Sequence, residues 1–442
     1  MSNSICRPQD SHRCTSSRRE FLKSSAQAVS SVVLAGAAMQ RAIYAAGDDV
    51  LKVGLIGCGG RGTGAAAQAL GADPHTKLIA MADIFEDKVK GSRNQLRKIR
   101  GEQVAVDDDH CFVGFDGYQK VIDSGVDVVV IACTSTFHAP YLRAAVAAGK
   151  HVFVEKPHAI DPPGIRMVKE ACDEARRKGL SVVSGLCWRY SPIVRETMKR
   201  VLDGAIGDIV AIQETYMRGP YRLVERRPEY SELEYQYRNW YHFRWLSGDD
   251  IPQSLLHCLD KACWALHEQP PVKAFGLGGR SSSFGAVYGD VFDHHSVVYE
   301  YANGVRVFGN CRAQTGCYGE VSDILLGTKG RADLIRGQIK GETDWRYKGP
   351  KANMYDIEHQ ELFASIRSGR PINNGDYMVN STMTAILGQM VVYTGKQITW
   401  EQAWKSNWKA GRDEHSFELE PPVKPLPDGT YPVPVPGVTQ LK

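Results

Sequence analysis

A glycine-rich turn between a strand and a helix constrains the fold of this chain more than any other feature. Gly57–Gly62 reads Gly-Cys-Gly-Gly-Arg-Gly and closes a predicted strand, Leu51–Gly57. A predicted helix, Thr63–Leu70, follows the turn. Asp83 ends the next predicted strand, Lys77–Ala82, about twenty residues beyond the last glycine. This combination is the G-x-G-x-x-G fingerprint at the start of a βαβ unit, and it predicts a dinucleotide-binding fold.

The side chains around the turn indicate which dinucleotide it binds. Glycines let the backbone approach a pyrophosphate, whose charge lies at the helix N-terminus. Asp83 would accept hydrogen bonds from the adenosine ribose hydroxyls and repel a 2′-phosphate, and Ile84 and Phe85 supply no cation to bind one. NAD is therefore favoured over NADP. The alternative is a glycine turn in a Rossmann-like fold that holds no cofactor.

The remaining pattern predicts two domains of different architecture. Up to about residue 190, short apolar segments alternate with amphipathic ones, which predicts an α/β fold with a doubly wound parallel sheet. The apolar run Val126–Cys133 is typical of a strand covered on both faces. After about Ser191, alternating strands such as Val291–Tyr301 predict an α+β domain with a mainly antiparallel sheet. Helices are predicted there at Ile193–Leu202, Ile251–Leu266, Glu358–Ser368 and Val379–Tyr393.

The first 46 residues are predicted to be an export signal rather than part of the fold. Arg18 and Arg19 precede a soft apolar stretch, Val29–Ala46, which resembles a twin-arginine signal. A chance arginine pair or a membrane anchor is the alternative, but Gln40 and Arg41 interrupt the stretch, which disfavours a permanent anchor. We predict a periplasmic or otherwise exported protein that uses the twin-arginine export machinery. The predicted divisions are the signal 1–46, an NAD-binding domain 47–190, a substrate and assembly domain 191–400, and an extended Pro-rich tail 401–442.

Composition excludes other classes of protein. The 54 basic side chains are scattered among 50 acidic ones, for a net charge of +4, and they form no basic stripe for nucleic acid. The 11 cysteines include no Cys-x-x-Cys pair, so neither a zinc ribbon nor a complete disulfide framework is indicated. His294 and His295 are adjacent on a predicted strand and would point to opposite faces. We predict no metal site.

Glu155-Lys156-Pro157, directly after the predicted strand His151–Val154, resembles a motif of the glucose-fructose oxidoreductase, inositol dehydrogenase and rhizopine-catabolism (Gfo/Idh/MocA) family. The resemblance runs from about Val50 to Trp400. Further matching stretches are Ala80–Asp83, Ala144–Gly149, Trp188–Pro192, His257–Asp260, Glu358–Arg370 and Thr394–Trp400. It implies a Rossmann domain, a second domain whose open sheet often serves assembly, and hydride chemistry on sugars, polyols or their derivatives. It also implies a homo-oligomer and a Lys–Pro bond that is often cis.

The resemblance assigns catalytic roles to Lys156 and His257. The lysine would contact the substrate hydroxyl and stabilise a developing alkoxide, and the histidine would be the acid/base. In family dehydrogenases an Asp often precedes the His by four residues, but that position is Gln253 here. Asp260 could orient the imidazole instead. Without the resemblance, the apolar neighbours of His257 would favour a core histidine.

Three further groups of residues complete the predicted site. Thr134, Ser135 and Thr136 follow a strand of the parallel sheet, although Ser and Thr are also ordinary turn residues. The segment Tyr216–Trp245 is dense in aromatic residues, which could stack on sugar faces or pack at an oligomer contact. The predicted cofactor-binding residues are Gly57, Gly59, Gly60, Arg61, Gly62, Asp83, Thr134, Ser135, Thr136, Glu155 and Lys156. The predicted substrate-binding residues are Arg189, Tyr190, Trp240, Tyr241 and Gln253.

The sequence therefore predicts an NAD(P)-dependent oxidoreductase for a sugar, polyol or sugar derivative. Free NAD should be scarce outside the cytoplasm, so we expect a tightly bound cofactor that is recycled within each catalytic cycle. One alternative is an NAD-dependent glycoside-cleaving or lyase enzyme with an internal redox cycle. Another is a non-catalytic carbohydrate-sensing protein.

Overall fold

Six parallel strands form a sheet with the glycine-rich turn at its centre. The computed structural model describes residues 49–441. The strands are β1 (Leu51–Ile56), β2 (Thr76–Asp83), β3 (Cys111–Val113), β4 (Val128–Ile131), β5 (His151–Val154) and β6 (Val182–Ser184). Their order is β3-β2-β1-β4-β5-β6. From β1, the chain adds strands first on one side (β2, β3) and then on the other (β4, β5, β6), so the strand order reverses between β1 and β4. Ligands of such sheets bind in the crevice at this reversal, beyond the carboxyl ends of the strands.

Helices cover both faces of this sheet. Val128 and Val130 of β4 pack into one hydrophobic core, and Val129 and Ile131 pack into another. This burial on both sides explains why the strand is apolar throughout. The helices are α1 (Gly60–Ala72), α2 (Glu86–Arg100), α3 (Gly117–Asp123), α4 (His138–Ala147) and α5 (Pro162–Lys178). The predicted doubly wound parallel sheet is confirmed.

A second sheet of nine strands follows, in the order β14-β13-β12-β11-β7-β10-β9-β8-β15. Its strands are β7 (Ile209–Arg218), β8 (Lys273–Gly279), β9 (His294–Glu300), β10 (Arg306–Ala313), β11 (Glu320–Gly327), β12 (Gly330–Asp333), β13 (Gln338–Gly341), β14 (Trp345–Arg346) and β15 (Ile398–Thr399). β7 and β10 run parallel, whereas the other neighbouring strands run antiparallel. The predicted, mainly antiparallel sheet is confirmed.

Seven helices accompany the second sheet. They are α6 (Pro192–Leu202), α7 (Glu232–Arg238), α8 (Arg244–Ser247), α9 (Leu256–Ala265), α10 (Met354–Arg367), α11 (Gly375–Thr394) and α12 (Trp400–Lys405). The sequence predicts one helix over Ile251–Leu266, but its first part, Ile251–Leu255, is a single π-helical turn. Such turns occur mostly as isolated insertions at functional sites.

Helix α10 returns from the second sheet to pack on the first. Leu362, Phe363 and Ile366 of α10 share one hydrophobic core with Leu51 and Leu55 of β1. The segment predicted as the second domain, 191–400, therefore supplies part of the core of the first. This contact brings residues of α10 close to the glycine-rich turn.

The chain ends in a long segment without regular structure, which follows α12 and runs over both units. Ala410 N–H donates to the carboxylate of Asp161, which also caps the start of α5. Within residues 49–441, no helix is long and apolar enough to cross a membrane. The predicted signal, residues 1–46, lies outside the described residues, as does Lys442.

Candidate active site

The glycines of the turn meet two different requirements. Gly57 has a φ of +96°, and a Cβ there would lie 2.5 Å from the backbone of Cys133. A Cβ on Gly62 would lie 1.8 Å from the carbonyl oxygen of Gly57. At Gly59 and Gly60, by contrast, a Cβ would meet nothing within 4 Å. Packing therefore requires the first and last glycines, whereas the middle two leave open space at the N-terminus of α1, where a pyrophosphate would fit.

Asp83 is held at the end of β2 with its carboxylate toward the crevice. Its Oδ2 accepts the Cys58 N–H at 2.7 Å and its Oδ1 accepts the Phe85 N–H at 3.0 Å. Burial raises the pKa of Asp83, and the two backbone N–H groups act against this shift. Each oxygen keeps a lone pair for a ribose hydroxyl. The structure thus leaves Asp83 able to fill its predicted role.

A cleft adjoins Asp83. Aromatic rings form one wall, where Tyr118 stacks on Tyr141 at 4.0 Å and Tyr141 stacks on Phe137 at 5.2 Å. The other lining residues are Ile56, Gly57, Ala82, Asp83, Ile84, Gly114, Cys133 and Thr134. Aromatic rings beside a carboxylate with free lone pairs are the lining that an adenosine requires.

We expect Asp83→Asn to weaken NAD binding by about ten- to a hundredfold, since a hydrogen bond to a charged group contributes about 1.5–3 kcal/mol. Loss of the negative charge should also reduce discrimination against NADP. Titration calorimetry of the cofactor-free protein with NAD and NADP measures both effects. Glu86→Gln, which removes an exposed carboxylate three residues away, is the control. Unchanged NAD affinity in Asp83→Asn would show that this carboxylate is not at the ribose.

The turn after β4 contributes one of its three predicted residues to the cleft. Thr134 lines the cleft. The Ser135 side chain is buried and its Oγ accepts a hydrogen bond from Gln253 Nε2 at 2.8 Å. Thr136 lines an adjoining cavity beside Gly411, which shares the Phe137 and Tyr141 rings with this cleft. The cofactor contacts predicted for Ser135 and Thr136 stay predictions, and neither side chain lines the cleft itself.

Arg61 connects the glycine-rich turn to the Glu-Lys-Pro motif. Its Nε lies 2.6 Å from Glu155 Oε1, and its guanidinium lies over the ring of Tyr355 at 4.8 Å. Glu358 of α10 lies 3.8 Å from the same guanidinium. Burial raises the pKa of Glu358 well above its usual range, with the neighbouring Glu155 adding to the shift. The Arg61 and Glu155 side chains therefore hold the site together. Glu358 was not among the predicted site residues, because it lies on a helix about 200 residues further along the chain.

Lys156 lies beyond β5, on the opposite side of the sheet reversal from Asp83. Its Nζ donates to the carbonyl oxygen of Gln253 at 2.6 Å. The Tyr221 hydroxyl donates to the same carbonyl at 3.3 Å. The Lys156–Pro157 peptide bond is cis, as the family resemblance implies. One N–H of the ammonium is thus fixed by the π-helical turn, and two remain for a ligand.

His257, at the second position of α9, lies near this ammonium. Burial lowers the pKa of its imidazole well below the usual range, and the positive charges of Lys156 and Lys261 lower it further. Its Nδ1 is buried and has no hydrogen-bond partner among the described residues. The ring of Tyr216 lies nearly parallel to it at 6.5 Å. The imidazole is therefore neutral near pH 7 and can accept a proton.

Asp260 does not orient this imidazole, which corrects the prediction. Both of its carboxylate oxygens accept the Arg189 Nε–H at 3.0 Å, and Oδ1 also accepts the Ser381 hydroxyl at 2.8 Å. Arg189 itself lies between Trp264 and Tyr377, at 5.0 and 4.0 Å from their ring centroids. A buried carboxylate and a buried guanidinium must pair, because desolvation is costly for either one alone.

Two of the predicted substrate-binding residues are consequently absent from the crevice. Arg189 is committed to Asp260 and Glu268. Tyr190 is buried, and its hydroxyl donates to Asn374 at 2.9 Å. Both residues have structural roles between the two units. These predictions are corrected.

The other predicted substrate residues lie beside the Lys156 contact. Trp240 stacks on Tyr241 at 3.7 Å, and Tyr241 stacks on Tyr221 at 4.0 Å. The side-chain amide of Gln253 donates to the Ser135 hydroxyl and to the Ser247 carbonyl. Lys156 is therefore bonded to the backbone carbonyl of Gln253 and not to its side chain. Gln253 is therefore a positioning residue, and the half-buried Trp240 and Tyr241 rings are the candidates for sugar stacking.

The C-terminal segment also reaches the adenosine end, which the sequence did not indicate. Phe417 contacts Phe85 at 5.7 Å and Phe115 at 5.0 Å between ring centroids. His415 contacts the cleft-lining Phe137 at 4.5 Å and hydrogen-bonds the Tyr237 hydroxyl at 2.7 Å. The sequence predicted only an extended Pro-rich tail, which does not identify a contact partner.

Comparison with known proteins agrees with this geometry. Residues 51–185 match the profile of the Gfo/Idh/MocA "Oxidoreductase family, NAD-binding Rossmann fold". Inositol 2-dehydrogenase of Salmonella paratyphi B is 27% identical over 338 residues, which cover 73% of this chain and 87% of that protein. Glycosyl hydrolase family 109 protein 4 of Phocaeicola vulgatus is 26% identical over 175 residues, 38% of this chain and 31% of that protein.

Among solved structures, levoglucosan dehydrogenase in complex with NADH and levoglucosan has the same fold. Its TM-score is 0.62 at 18% identity, with 80% of this chain and 100% of that chain covered. The matched region contains the glycine-rich turn, Asp83 and the Glu-Lys-Pro motif. Residues 51–185 are thus similar to the NAD-binding Rossmann fold of the Gfo/Idh/MocA oxidoreductase family.

Proposed function

We propose that this protein is an NAD-dependent oxidoreductase that acts on a carbinol of a sugar, polyol or sugar derivative. The observation that carries this proposal is the placement of Lys156 and His257 across the sheet reversal from Asp83. A cofactor whose adenosine lies at Asp83 extends across the reversal toward these two residues. The inositol and levoglucosan dehydrogenases named above act on polyols and sugars, which supports this substrate class.

The side chains divide the chemistry between them. Bound NAD supplies the hydride acceptor. The neutral His257 imidazole accepts the proton of the substrate hydroxyl. The two free N–H donors of Lys156 stabilise the negative charge that develops on the oxygen. The Gln253 carbonyl fixes the direction of the ammonium, and the Trp240 and Tyr241 rings offer an apolar surface for a sugar face.

A substrate screen tests this function. The purified protein, supplied with NAD, is exposed to a panel of polyols, sugars and glycosides while nicotinamide fluorescence is followed. We expect a response to at least one polyol or sugar, and its loss in Lys156→Ala. If no compound changes the fluorescence and none binds, the proposal fails.

Glycoside cleavage through an internal redox cycle is the second candidate. It is favoured by Gln253, whose side chain carries no charge and is bonded to Ser135 and Ser247, so it cannot relay a proton outward. The glycosyl hydrolase relative points to the same chemistry, although the match covers 31% of that protein. Cleavage of a glycoside without net formation of NADH would identify this activity.

We further propose that the cofactor is tightly held and that the C-terminal segment retains it. Phe417 packs on Phe85 and Phe115, which flank the adenosine cleft. We expect Phe417→Ala to raise the NAD dissociation rate about two- to tenfold, since an aromatic pair contributes about 0.5–1.5 kcal/mol. Stopped-flow fluorescence after NADH displacement measures the rate. Leu426→Ala, at an exposed position of the same segment, is the control. Equal NAD dissociation rates in the wild type, Phe417→Ala and Leu426→Ala would contradict the proposal.

We also propose that the protein is exported and that it forms a homo-oligomer. The Arg18-Arg19 pattern supports twin-arginine export, and the solvent-facing side of the second sheet supports a homo-oligomer. Replacing both arginines with lysine should leave the protein in the cytoplasm, as cell fractionation would show. Light scattering of the exported protein gives the oligomeric state.

A further inference from the structure

A second group of polar side chains is buried between the π-helical turn and the second sheet. Asp250 immediately precedes the turn. His295 of β9 and Cys311 of β10 lie directly opposite each other in the antiparallel pair. One donor atom from each of the three lies within 4.8 Å of the other two, and all three residues are buried. The proposed redox chemistry uses none of them.

The sulfur–nitrogen distance in this cluster matches that of a tetrahedral metal site. Cys311 Sγ lies 3.6 Å from His295 Nδ1. A zinc ion at the usual distances from sulfur and nitrogen separates those two atoms by about 3.6 Å. Asp250 Oδ1 accepts hydrogen bonds from Arg218 and Ser254, while its buried Oδ2 has no partner among the described residues. One carboxylate oxygen is thus left for an ion.

The other imidazole nitrogen has the environment expected of a metal ligand. His295 Nε2 lies 3.5 Å from Asp249 Oδ2. Metal-bound histidines commonly donate their second N–H to such a carboxylate. Asp249 has a φ of +71°, a conformation that is unfavourable for this residue type and that is maintained by its hydrogen bonds to Phe292 N–H and Tyr393 Oη–H.

We propose that Asp250 Oδ2, His295 Nδ1 and Cys311 Sγ bind a divalent transition-metal ion, with zinc preferred, and that Asp249 orients the histidine. An Asp, His and Cys donor set selects zinc over magnesium or calcium. Binding deprotonates the Cys311 thiol and releases the proton to solvent. The ion and Arg218 then balance the charges of Asp249, Asp250 and the thiolate. Three protein ligands leave one position for water.

A second buried cluster of metal-ligating side chains already contains a cation. Glu214, Cys258 and Asp323 also bring donor atoms within 4.8 Å of one another. There, however, the Lys261 ammonium lies 3.2 Å from Asp323 and supplies the cation. At Asp250 the Arg218 guanidinium contacts Oδ1, and the buried Oδ2 has no hydrogen-bond partner among the described residues.

The test is metal content, followed by cobalt spectroscopy. Wild-type protein is loaded with Zn²⁺, dialysed against metal-free buffer and assayed by mass spectrometry. We expect about one zinc per chain, and a value below about a tenth would overturn the proposal. With Co²⁺ instead, we expect a thiolate charge-transfer band that is lost in Cys311→Ser and reduced in His295→Gln.

Two variants serve as controls. Cys317→Ser removes the exposed cysteine, and Cys258→Ser removes the thiol of the second cluster. Both should keep the cobalt band. Loss of the band in either one, with retention in Cys311→Ser, would place the ion elsewhere and overturn the assignment. The wild-type zinc content decides the question even if Cys311→Ser does not fold.

Discussion

Lys156→Ala is expected to lower kcat/KM for the sugar substrate by about 10²- to 10³-fold, which is the usual cost of removing one group that stabilises a developing oxyanion. The ammonium is already directed by the Gln253 carbonyl at 2.6 Å, so it needs no reorganisation during the reaction. Steady-state kinetics of the NAD-loaded protein measure the effect. NAD affinity should change little if, as we propose, the adenosine end binds at Asp83.

A second readout separates this role from a merely structural one. The positive charge of Lys156 helps to lower the pKa of His257, after burial itself. Its removal should therefore move the acid limb of the pH–rate profile to higher pH. Lys150→Ala, at the opposite end of β5, is the matched control and should leave both rate and profile unchanged. Full activity in Lys156→Ala would contradict the assignment of this lysine as the group that stabilises the developing oxyanion.

His257→Asn should reduce turnover by about 10²- to 10⁴-fold, the range typical of a general base. Asparagine keeps a similar size and polarity but cannot accept the proton. In the wild type, burial lowers the pKa of His257 well below its usual range. The base stays neutral as the pH falls through 6.5, so oxidation should persist below that value and decline only at lower pH.

The measurement is a pH profile of kcat/KM between about pH 4 and 9, bracketing the ordinary histidine pKa. His294→Asn, on a half-exposed strand position, is the control. An acid limb centred near or above pH 6.5 in the wild type would contradict the assignment of His257 as the base. So would a His257→Asn variant that keeps wild-type turnover.

Local sequence was sufficient where neighbouring strand ends determine the geometry. Gly57–Gly62, Asp83 and Lys156 follow three strands of one parallel sheet, and parallel strands bring their carboxyl ends to one edge. The apolar run at β4 was readable because it is buried on both faces. These features predicted the fold and the cofactor, and they placed Lys156 beyond the end of β5.

Side-chain partners were not predictable, because they depend on packing between distant segments. Asp260 lies near His257 in sequence, but Arg189 and Ser381 take its carboxylate. Ser135 lies at the right strand end, but its hydroxyl bonds to Gln253 across the interface between the units. The sequence predicted neither the short strand β3 nor the π-helical turn. Neither segment has a hydrophobic periodicity that differs from that of the neighbouring residues.

The position of α10 has a consequence for the order of folding. Leu362, Phe363 and Ile366 complete the core beneath β1, although some 300 residues separate the two along the chain. A nascent chain that ends before Met354 would expose that part of the nucleotide-binding unit to water. The unit is therefore expected to mature only after most of the polypeptide has left the ribosome, so truncated translation products should be substrates for chaperones and proteases.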